Sequence, residues 1–294
     1  MSITQKIKFL ELKSGRQLAI RFLVQGDPGK TVFLCHPSPG AGNLVPNLEE
    51  TIKRDATLVA VDRAGYGQSD ASTHWVSVSE AADDLAEAIQ SVATGSVGIA
   101  GWSLGGWVAL ALAARHPELV DRLAVIATPA LENEQAWMLS DIREALGLSQ
   151  SLERNVVNQN LETCFANKLA DTLGRTLLQV SGADQQALAL PGVSQALTRM
   201  LEESFAQGNQ GLITEMAGFN LLPWGFEPNA VAAKTLCLYG SKDPVAPQRH
   251  GSWWQKRLPD ARLEMSPKVG HLLIFQRWKR VLSHLLPRQR KTKK

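Results

Sequence analysis

Ser103 stands in a run of residues that suits a nucleophilic serine. Residues 101–106 read Gly-Trp-Ser-Leu-Gly-Gly, after the apolar run 97–100 and before the helix-forming run 107–115. A Gly-x-Ser-x-Gly sequence at a sharp strand-to-helix turn exposes the hydroxyl at a sheet edge and directs the positive helix end at a developing oxyanion. Its glycines let strand and helix pass closely. The same run also fits a glycine-rich turn whose serine has no chemical role.

Asp243 and His271 are the later residues that could activate this serine. A serine hydroxyl needs a base to take its proton, and the base needs a third group to hold its tautomer. Asp243 follows the strand-like run 236–240, and His271 follows the next one, 261–265. Alone, Asp-Pro is a common turn and a loop histidine means little. The order serine, aspartate, histidine after successive strands predicts a catalytic triad at the edge where open α/β sheets bind ligands.

Four segments in this order resemble the α/β-hydrolase superfamily, and the resemblance covers nearly the whole chain. Besides the serine turn and the two triad loops, residues 36–40 (His-Pro-Ser-Pro-Gly) resemble the family's HGxPG loop. Residues 62–69 (Asp-Arg-Ala-Gly-Tyr-Gly-Gln-Ser) resemble its DxxGxGxS turn. The resemblance implies that Ser38 and Leu104 supply the backbone N–H groups of an oxyanion hole. Pro37 replaces the family's usual glycine and lacks an N–H, but Ser38 keeps its own.

The hydrophobic pattern predicts the sheet that positions these residues. Residues 6–12 and 17–24 alternate apolar and polar side chains, which indicates an antiparallel hairpin. Continuous apolar runs, typical of buried parallel strands, occur at 31–35, 58–61, 97–100 and 123–127, before the two late strands. The number of predicted strands matches the eight-stranded sheet of the family. The resemblance therefore implies the α/β-hydrolase fold, a mostly parallel sheet with helices on both faces and an inserted helical cap.

Residues 131–220 show no convincing strands. Periodic segments at 134–146, 152–173 and 193–206 predict helices instead. We therefore expect a discontinuous core of residues 1–130 and 221–294, which holds the triad and oxyanion hole, and a helical cap of residues 131–220 above them. The alternative is that this segment forms a dimer interface. The candidate substrate-binding residues are Trp102, Trp137, Met138 and Phe219, with Phe165 a further candidate wall, although cap side chains of this type more often pack in the cap interior.

Composition is that of an ordinary globular protein, and the partner that we expect from the triad and the resemblance is a small-molecule substrate. The chain has 294 residues, 44% hydrophobic and 20% charged, and its net charge of +3 is too small to imply a nucleic-acid partner. Three cysteines without pair spacing argue against a disulfide framework or a zinc site. The start lacks the apolar core of a signal peptide, and the longest apolar run is split by glycines. We therefore expect no membrane span and a cytoplasmic location.

These residues predict a serine hydrolase that cleaves an ester-like bond of a small apolar substrate through an acyl-enzyme, with no metal or organic cofactor. The resemblance leaves the substrate open, because members of the superfamily cleave esters, thioesters, lactones and carbon–carbon bonds. Some run lyase or perhydrolase chemistry, and a few are ligand receptors without turnover. Ser103 stands where dehalogenases and epoxide hydrolases carry an aspartate, which disfavours both of those activities.

Overall fold

One eight-stranded sheet organises the protein, whose computed structural model describes residues 6–131, 138–148 and 152–287. The strand order is β1-β2-β4-β3-β5-β6-β7-β8. The first two strands form the predicted antiparallel hairpin, β2 pairs antiparallel with β4, and all later pairs are parallel. The strands are β1 (Lys6–Glu11), β2 (Gln17–Val24), β3 (Asp27–Cys35), β4 (Ala56–Val61), β5 (Val97–Trp102), β6 (Val120–Ile126), β7 (Lys234–Gly240) and β8 (Ala261–Ser266).

Helices cover both faces of this sheet, and a further group lies between β6 and β7. The helices in the described part of the chain are α1 (Leu48–Lys53), α2 (Val78–Val92), α3 (Gly105–Arg115), α4 (Ser140–Leu146), α5 (Arg154–Phe165), α6 (Ala170–Leu177), α7 (Gln185–Leu188), α8 (Val193–Ser204), α9 (Gln210–Leu221), α10 (Gln248–Arg257) and α11 (Leu273–Leu285). None of them is long and apolar enough to cross a membrane. The predicted fold class is confirmed.

The packing explains why the central strands read as continuous apolar runs. Helix α3 lies against β5 and β6 and contacts α2, whereas α11 packs on β5, β6 and β7 and contacts α1. Strand β5 is therefore covered by helices, and all of its residues are buried. Helix α2 begins after Ser77, whose hydroxyl caps the helix by accepting the N–H of Glu80 at 3.1 Å.

Helices α4 to α9 differ in detail from the predicted periodic segments. The segment 152–173 forms two helices, α5 and α6, with Asn167 between them in the left-handed region at φ 57°. Helix α9 was missed by the sequence pattern. All of its residues from Gly211 to Phe219 are buried, so it carries no polar stripe that would mark a helical period. Part of the first predicted segment, residues 134–137, lies outside the described residues.

Candidate active site

Ser103 occupies the turn between β5 and α3, at the carboxyl end of a central strand. Its backbone is left-handed at φ 54°, a conformation that costs energy for a residue with a side chain. The turn is fixed by its own hydrogen bonds: the N–H of Ser103 reaches the carbonyl of Ile126 at 2.9 Å, and the N–H of Gly106 reaches the carbonyl of Ser103 at 3.0 Å. The predicted strand, sharp turn and helix are therefore present.

Gly105 lets the loop after β3 lie directly against this turn. A Cβ atom at position 105 would clash with the carbonyl oxygens of Cys35 and His36. Only a glycine permits this approach, and the approach brings the loop that contains Ser38 beside the start of α3. The glycines of the serine turn therefore position a second loop as well as the serine.

Asp243 and His271 form a buried pair on the loops after β7 and β8. The Nδ1 atom of His271 lies 3.0 and 2.9 Å from the two carboxylate oxygens of Asp243. The N–H groups of Val245 and Ala246 donate to Asp243 Oδ1 at 2.9 and 3.0 Å, which fixes the carboxylate. An Nδ1–H that donates to Asp243 leaves Nε2 with its lone pair, the form that a general base requires.

The Nε2 atom of His271 is buried, and no side chain or backbone group in the described ranges hydrogen bonds to it. A buried nitrogen without a partner is unusual, because such groups are almost always satisfied in folded proteins. The Trp102 ring packs against the imidazole with ring centroids 5.9 Å apart. The imidazole is therefore held by its neighbours, while the nitrogen that would take a proton stays unbonded. Catalytic hydrogen bonds are often long before substrate binds.

Ser38 and Leu104, the predicted oxyanion donors, are both buried, at 5% and 2% exposure. Neither backbone N–H donates a hydrogen bond to any residue of the described ranges. Two buried amides without acceptors are suited to receive an oxyanion. The Ser38 side chain has a partner of its own, because its hydroxyl lies 3.2 Å from the hydroxyl of Tyr66. The Ser38–Pro39 peptide bond is cis.

A buried ionic network lies behind the Ser38 loop. Arg63 donates to the carbonyls of His36 and Pro37 at 2.7 and 3.0 Å. The Nε and Nη2 atoms of Arg63 also donate to the two carboxylate oxygens of Glu215, at 2.5 and 2.8 Å respectively. The Tyr66 hydroxyl also donates to Glu215, at 3.1 Å. This network joins the loop after β3 to the turn after β4 and to helix α9.

His36 is a neutral part of this network. Burial and the charge of Arg63 hold the pKa of His36 well below its usual value. A neutral ring can donate from Nδ1 to the Pro37 carbonyl at 2.8 Å. Its Nε2 atom can accept a hydrogen bond from the backbone N–H of Arg63, at 3.2 Å. Both ring nitrogens are used in this way, so the imidazole supports the loop.

The other predicted site residues lie in several places. Trp102 is fully buried and donates its indole N–H to the His271 carbonyl at 3.1 Å, so it contacts the triad directly. Phe219 is also fully buried and packs on Trp107, with ring centroids 6.4 Å apart. Met138 and Phe165 are buried in the hydrophobic core. Trp137 lies outside the described residues.

Four residues that hold the loops of the candidate site were not singled out from the sequence: Arg63, Tyr66, Glu215 and Asp184. Arg63 and Tyr66 belong to the 62–69 motif, which was noted only as a family turn. Glu215 did carry a signal, because it is a lone charge in the apolar stretch 211–219. Asp184 carried none. Its Oδ1 accepts the N–H of Leu272, the residue after His271, at 2.8 Å.

Comparison with known proteins adds three kinds of similarity. A family model described as alpha/beta hydrolase fold matches residues 30–277. A pimeloyl-[acyl-carrier protein] methyl ester esterase of Nitrosomonas europaea is 30% identical over 228 residues, which cover 76% of this chain and 81% of the relative. The protein with the same name in Chromobacterium violaceum is 28% identical over 249 residues, 83% of this chain and 87% of that one.

Solved structures agree in fold at low sequence identity. A hydrolase from Pseudomonas aeruginosa superposes with a TM-score of 0.74 at 19% identity, over 96% of this chain and 98% of that one. An enol-lactonase from Burkholderia xenovorans gives a TM-score of 0.71 at 15% identity, over 94% and 97% of the two chains. At these identities the superpositions show the fold alone.

Proposed function

We propose that this chain, which belongs to the α/β-hydrolase family, hydrolyses carboxylic esters through an acyl-enzyme on Ser103. One arrangement carries the proposal. A serine in strained left-handed backbone stands at the end of β5, and the chain also holds a buried Asp243–His271 pair whose outer nitrogen has no partner among the described residues. Strain and unsatisfied buried groups of this kind cluster at functional sites.

The reaction follows from the chemistry of these groups. His271 Nε2 takes the proton of the Ser103 hydroxyl as its oxygen attacks the ester carbonyl, and Asp243 stabilises the imidazolium that forms. The carbonyl oxygen becomes an oxyanion that accepts the N–H groups of Ser38 and Leu104. The intermediate collapses, the alcohol leaves with the proton from His271, and the acyl group stays on Ser103. Water, deprotonated by His271, then releases the acid and restores the serine.

The substrate class that we propose is an ester of a small alcohol with a longer acyl group. The two similar relatives are both named as methyl ester esterases, which supports a methyl leaving group here as well. The closed site agrees with a small alcohol, since Ser103 is only 3% exposed and His271 is fully buried. The acyl group, whether free or attached to a carrier protein, is the larger part of the substrate.

Residues 131–220 are proposed as a cap over this site, with residues 1–130 and 221–294 as the core. Two contacts support the position of the cap next to the site. Glu215 reaches the network behind the Ser38 loop, and Asp184 reaches the loop of His271. Helices α4 to α9 all lie in one insertion between β6 and β7, next to the carboxyl edge of the sheet. A cap in this place excludes water from the acyl-enzyme and shapes the acyl pocket.

The test joins covalent labelling to turnover. A fluorophosphonate should add one mass increment to the wild-type protein and none to Ser103→Ala, as seen by intact-mass spectrometry. Methyl and butyl esters of the same acids, with acyl chains of graded length, should show faster turnover of the methyl series. Equal labelling of both proteins would contradict the assignment of the nucleophile. Labelling without turnover of any ester would favour a receptor, and peroxide-dependent oxidation would favour perhydrolase chemistry. A homodimer and a cytoplasmic location stay predictions.

A further inference from the structure

The direction of the Ser38 N–H is set by the peptide unit that joins Pro37 to Ser38. This unit is planar and trans, so the Pro37 carbonyl and the Ser38 N–H point in opposite directions. The carbonyl oxygen receives two hydrogen bonds, from His36 Nδ1 at 2.8 Å and from Arg63 Nη2 at 3.0 Å. Any rotation of the peptide would break both bonds. The groups that hold this carbonyl therefore also aim the N–H on the other side.

Arg63 is held in turn by Glu215. The guanidinium meets the carboxylate with two parallel contacts of 2.5 and 2.8 Å, the bidentate geometry that fixes an arginine most firmly. Burial is the largest single influence on the pKa of Arg63 and lowers it, but the charge and the hydrogen bonds of Glu215, with smaller contributions from Tyr66 and Cys35, together leave that pKa above its usual value. Both side chains are buried, at 8% and 3% exposure, so solvent can replace neither partner.

We propose, on the basis of the proposed esterase function, that Glu215 is a positioning residue for the oxyanion hole. It holds Arg63, Arg63 holds the Pro37 carbonyl, and that carbonyl fixes the Ser38 N–H. A second path runs through Tyr66, whose hydroxyl donates to Glu215 and contacts the Ser38 hydroxyl. Glu215 lies on α9 in the cap, 152 residues from Arg63 in sequence. The cap therefore contributes to the geometry of the catalytic loop as well as to the pocket.

A buried ion pair can also serve stability alone, so the test must separate the two roles. A purely structural pair changes the fraction of folded protein and leaves kcat per active site unchanged. A positioning role lowers kcat per active site with little change in KM, because the oxyanion forms only after the bound ester is attacked. It also weakens binding of a trifluoromethyl ketone, which forms a tetrahedral oxyanion on the serine.

Glu215→Gln is the informative variant, because it keeps the length of the side chain and removes its charge. We expect kcat, normalised by fluorophosphonate titration, to fall by about 10- to 100-fold, less than or near the loss of a whole oxyanion donor. KM should stay within about threefold, and the affinity for a trifluoromethyl ketone with the same acyl chain should fall in parallel with kcat. The matched control is Glu203→Gln. Glu203 on α8 also pairs with a core arginine, Arg21 at 2.5 Å, but it does not contact Arg63 or the Ser38 loop.

The outcomes decide between the roles. Parallel losses in Glu215→Gln with an unchanged Glu203→Gln support the proposal. Unchanged kcat and ketone affinity, a loss confined to KM, or a loss of kcat without a loss of ketone affinity would overturn it. If Glu215→Gln does not fold, Arg63→Lys takes its place, because one ammonium cannot reach the carboxylate and both carbonyls, and the same pattern is expected. An inactive and unlabelled wild-type protein would instead refute the esterase function itself.

Discussion

The carboxylate of Asp184 accepts the backbone N–H of Leu272 at 2.8 Å, directly beside His271. The carbonyl of His271 belongs to the same peptide unit and accepts the indole N–H of Trp102 at 3.1 Å. This unit is therefore held at both ends, by Asp184 of the 3₁₀ turn Gly182–Asp184 and by Trp102, the residue before Ser103. A Cβ atom at Gly270 would clash with the Asp184 carboxylate, so the contact is close. The base of the predicted triad rests on a group far away in the chain.

Asp184→Ala should weaken both folding and catalysis. It leaves the buried N–H of Leu272 without an acceptor, so the free energy of unfolding should fall by about 1–3 kcal/mol. It also frees the backbone of His271, so kcat per labelled active site should fall while the labelled fraction stays high. Urea unfolding measures the loss of stability, and kcat normalised by fluorophosphonate titration of the active sites measures the loss of catalysis. Asp171→Ala is the control, because within the described part of the chain Asp171 bonds to Arg175 and Thr198 and not to the loop of His271. Equal kcat in the two variants would show that Asp184 does not position the base.

His271→Ala and Asp243→Ala should not multiply their losses. In the proposed mechanism Asp243 contributes to catalysis only through the imidazole, whose Nδ1 lies 3.0 and 2.9 Å from its carboxylate oxygens. Once His271 is gone, the second substitution has little left to remove, and the double variant should be about as slow as His271→Ala alone. A double-mutant cycle on kcat/KM with a p-nitrophenyl ester measures this. Losses that multiply independently would mean that the two residues act in separate steps.

Local signals account for what the sequence predicted correctly. The serine turn, the hairpin and the parallel strands each depend on neighbours within a few residues, and the order of the two late loops placed Asp243 and His271. The contacts of Glu215 and Asp184 span 152 and 88 residues, and no local pattern encodes such pairings. Trp102 was predicted as a substrate-binding residue, and this stays a prediction. Its hydrogen bond to the His271 carbonyl depends on how β5 and the loop after β8 meet, which no local pattern shows.

Gly105→Ala should abolish most activity without a matching loss of fold. The new methyl group would clash with the carbonyl oxygens of Cys35 and His36 and push the Ser38 loop away from the serine turn. We expect kcat to fall by about 100-fold or more, as when one oxyanion donor is removed. Gly95→Ala is the control, because a Cβ atom there meets nothing within 4 Å. Initial rates and thermal unfolding of both variants give the comparison, and wild-type rates in Gly105→Ala would place the oxyanion hole elsewhere.

The stability of the protein should decrease as pH falls below neutrality, in part through His250. Burial, with the nearby charge of Arg249, lowers the pKa of His250 from 6.5 to about 4. Unfolded chains then take up a proton between these values that the folded protein does not, so the stabilisation is complete above pH 6.5 and is lost towards pH 4. One such group changes the free energy of unfolding by at most about 1.4 kcal/mol per pH unit.

His250→Asn tests this contribution. The amide oxygen can take over the hydrogen bond from the Ala130 N–H, which reaches His250 Nδ1 at 2.8 Å, but it does not titrate. Urea unfolding at several pH values from 7 to 5 should give a shallower decline in the variant than in the wild type. A decline of equal slope would show that His250 does not supply the proton uptake. His36 and His284 also have lowered pKa values, so some decline remains in both proteins.

Replacing residues 131–220 by a Gly/Ser linker tests how far the core works alone. The sequence assigned the triad and oxyanion hole to the core, which predicts that Ser103 stays fully reactive towards a small fluorophosphonate. The contacts of Glu215 and Asp184 predict the opposite: the Ser38 N–H and the His271 backbone both lose a support. The labelling rate should then fall by at least about tenfold, part of the 10²–10³ supplied by one oxyanion donor.

The full-length double variant Glu215→Gln, Asp184→Asn serves as its matched control. It keeps the pocket walls, so it should show the same slow labelling with wild-type preference for acyl length, whereas the linker protein should lose that preference as well. Far-ultraviolet circular dichroism checks that each protein keeps its secondary structure. If the linker protein does not fold, the double variant alone provides the test. Labelling at the wild-type rate in the double variant would mean that the cap shapes the pocket and leaves the catalytic loops to the core, because both supports would have been removed without effect.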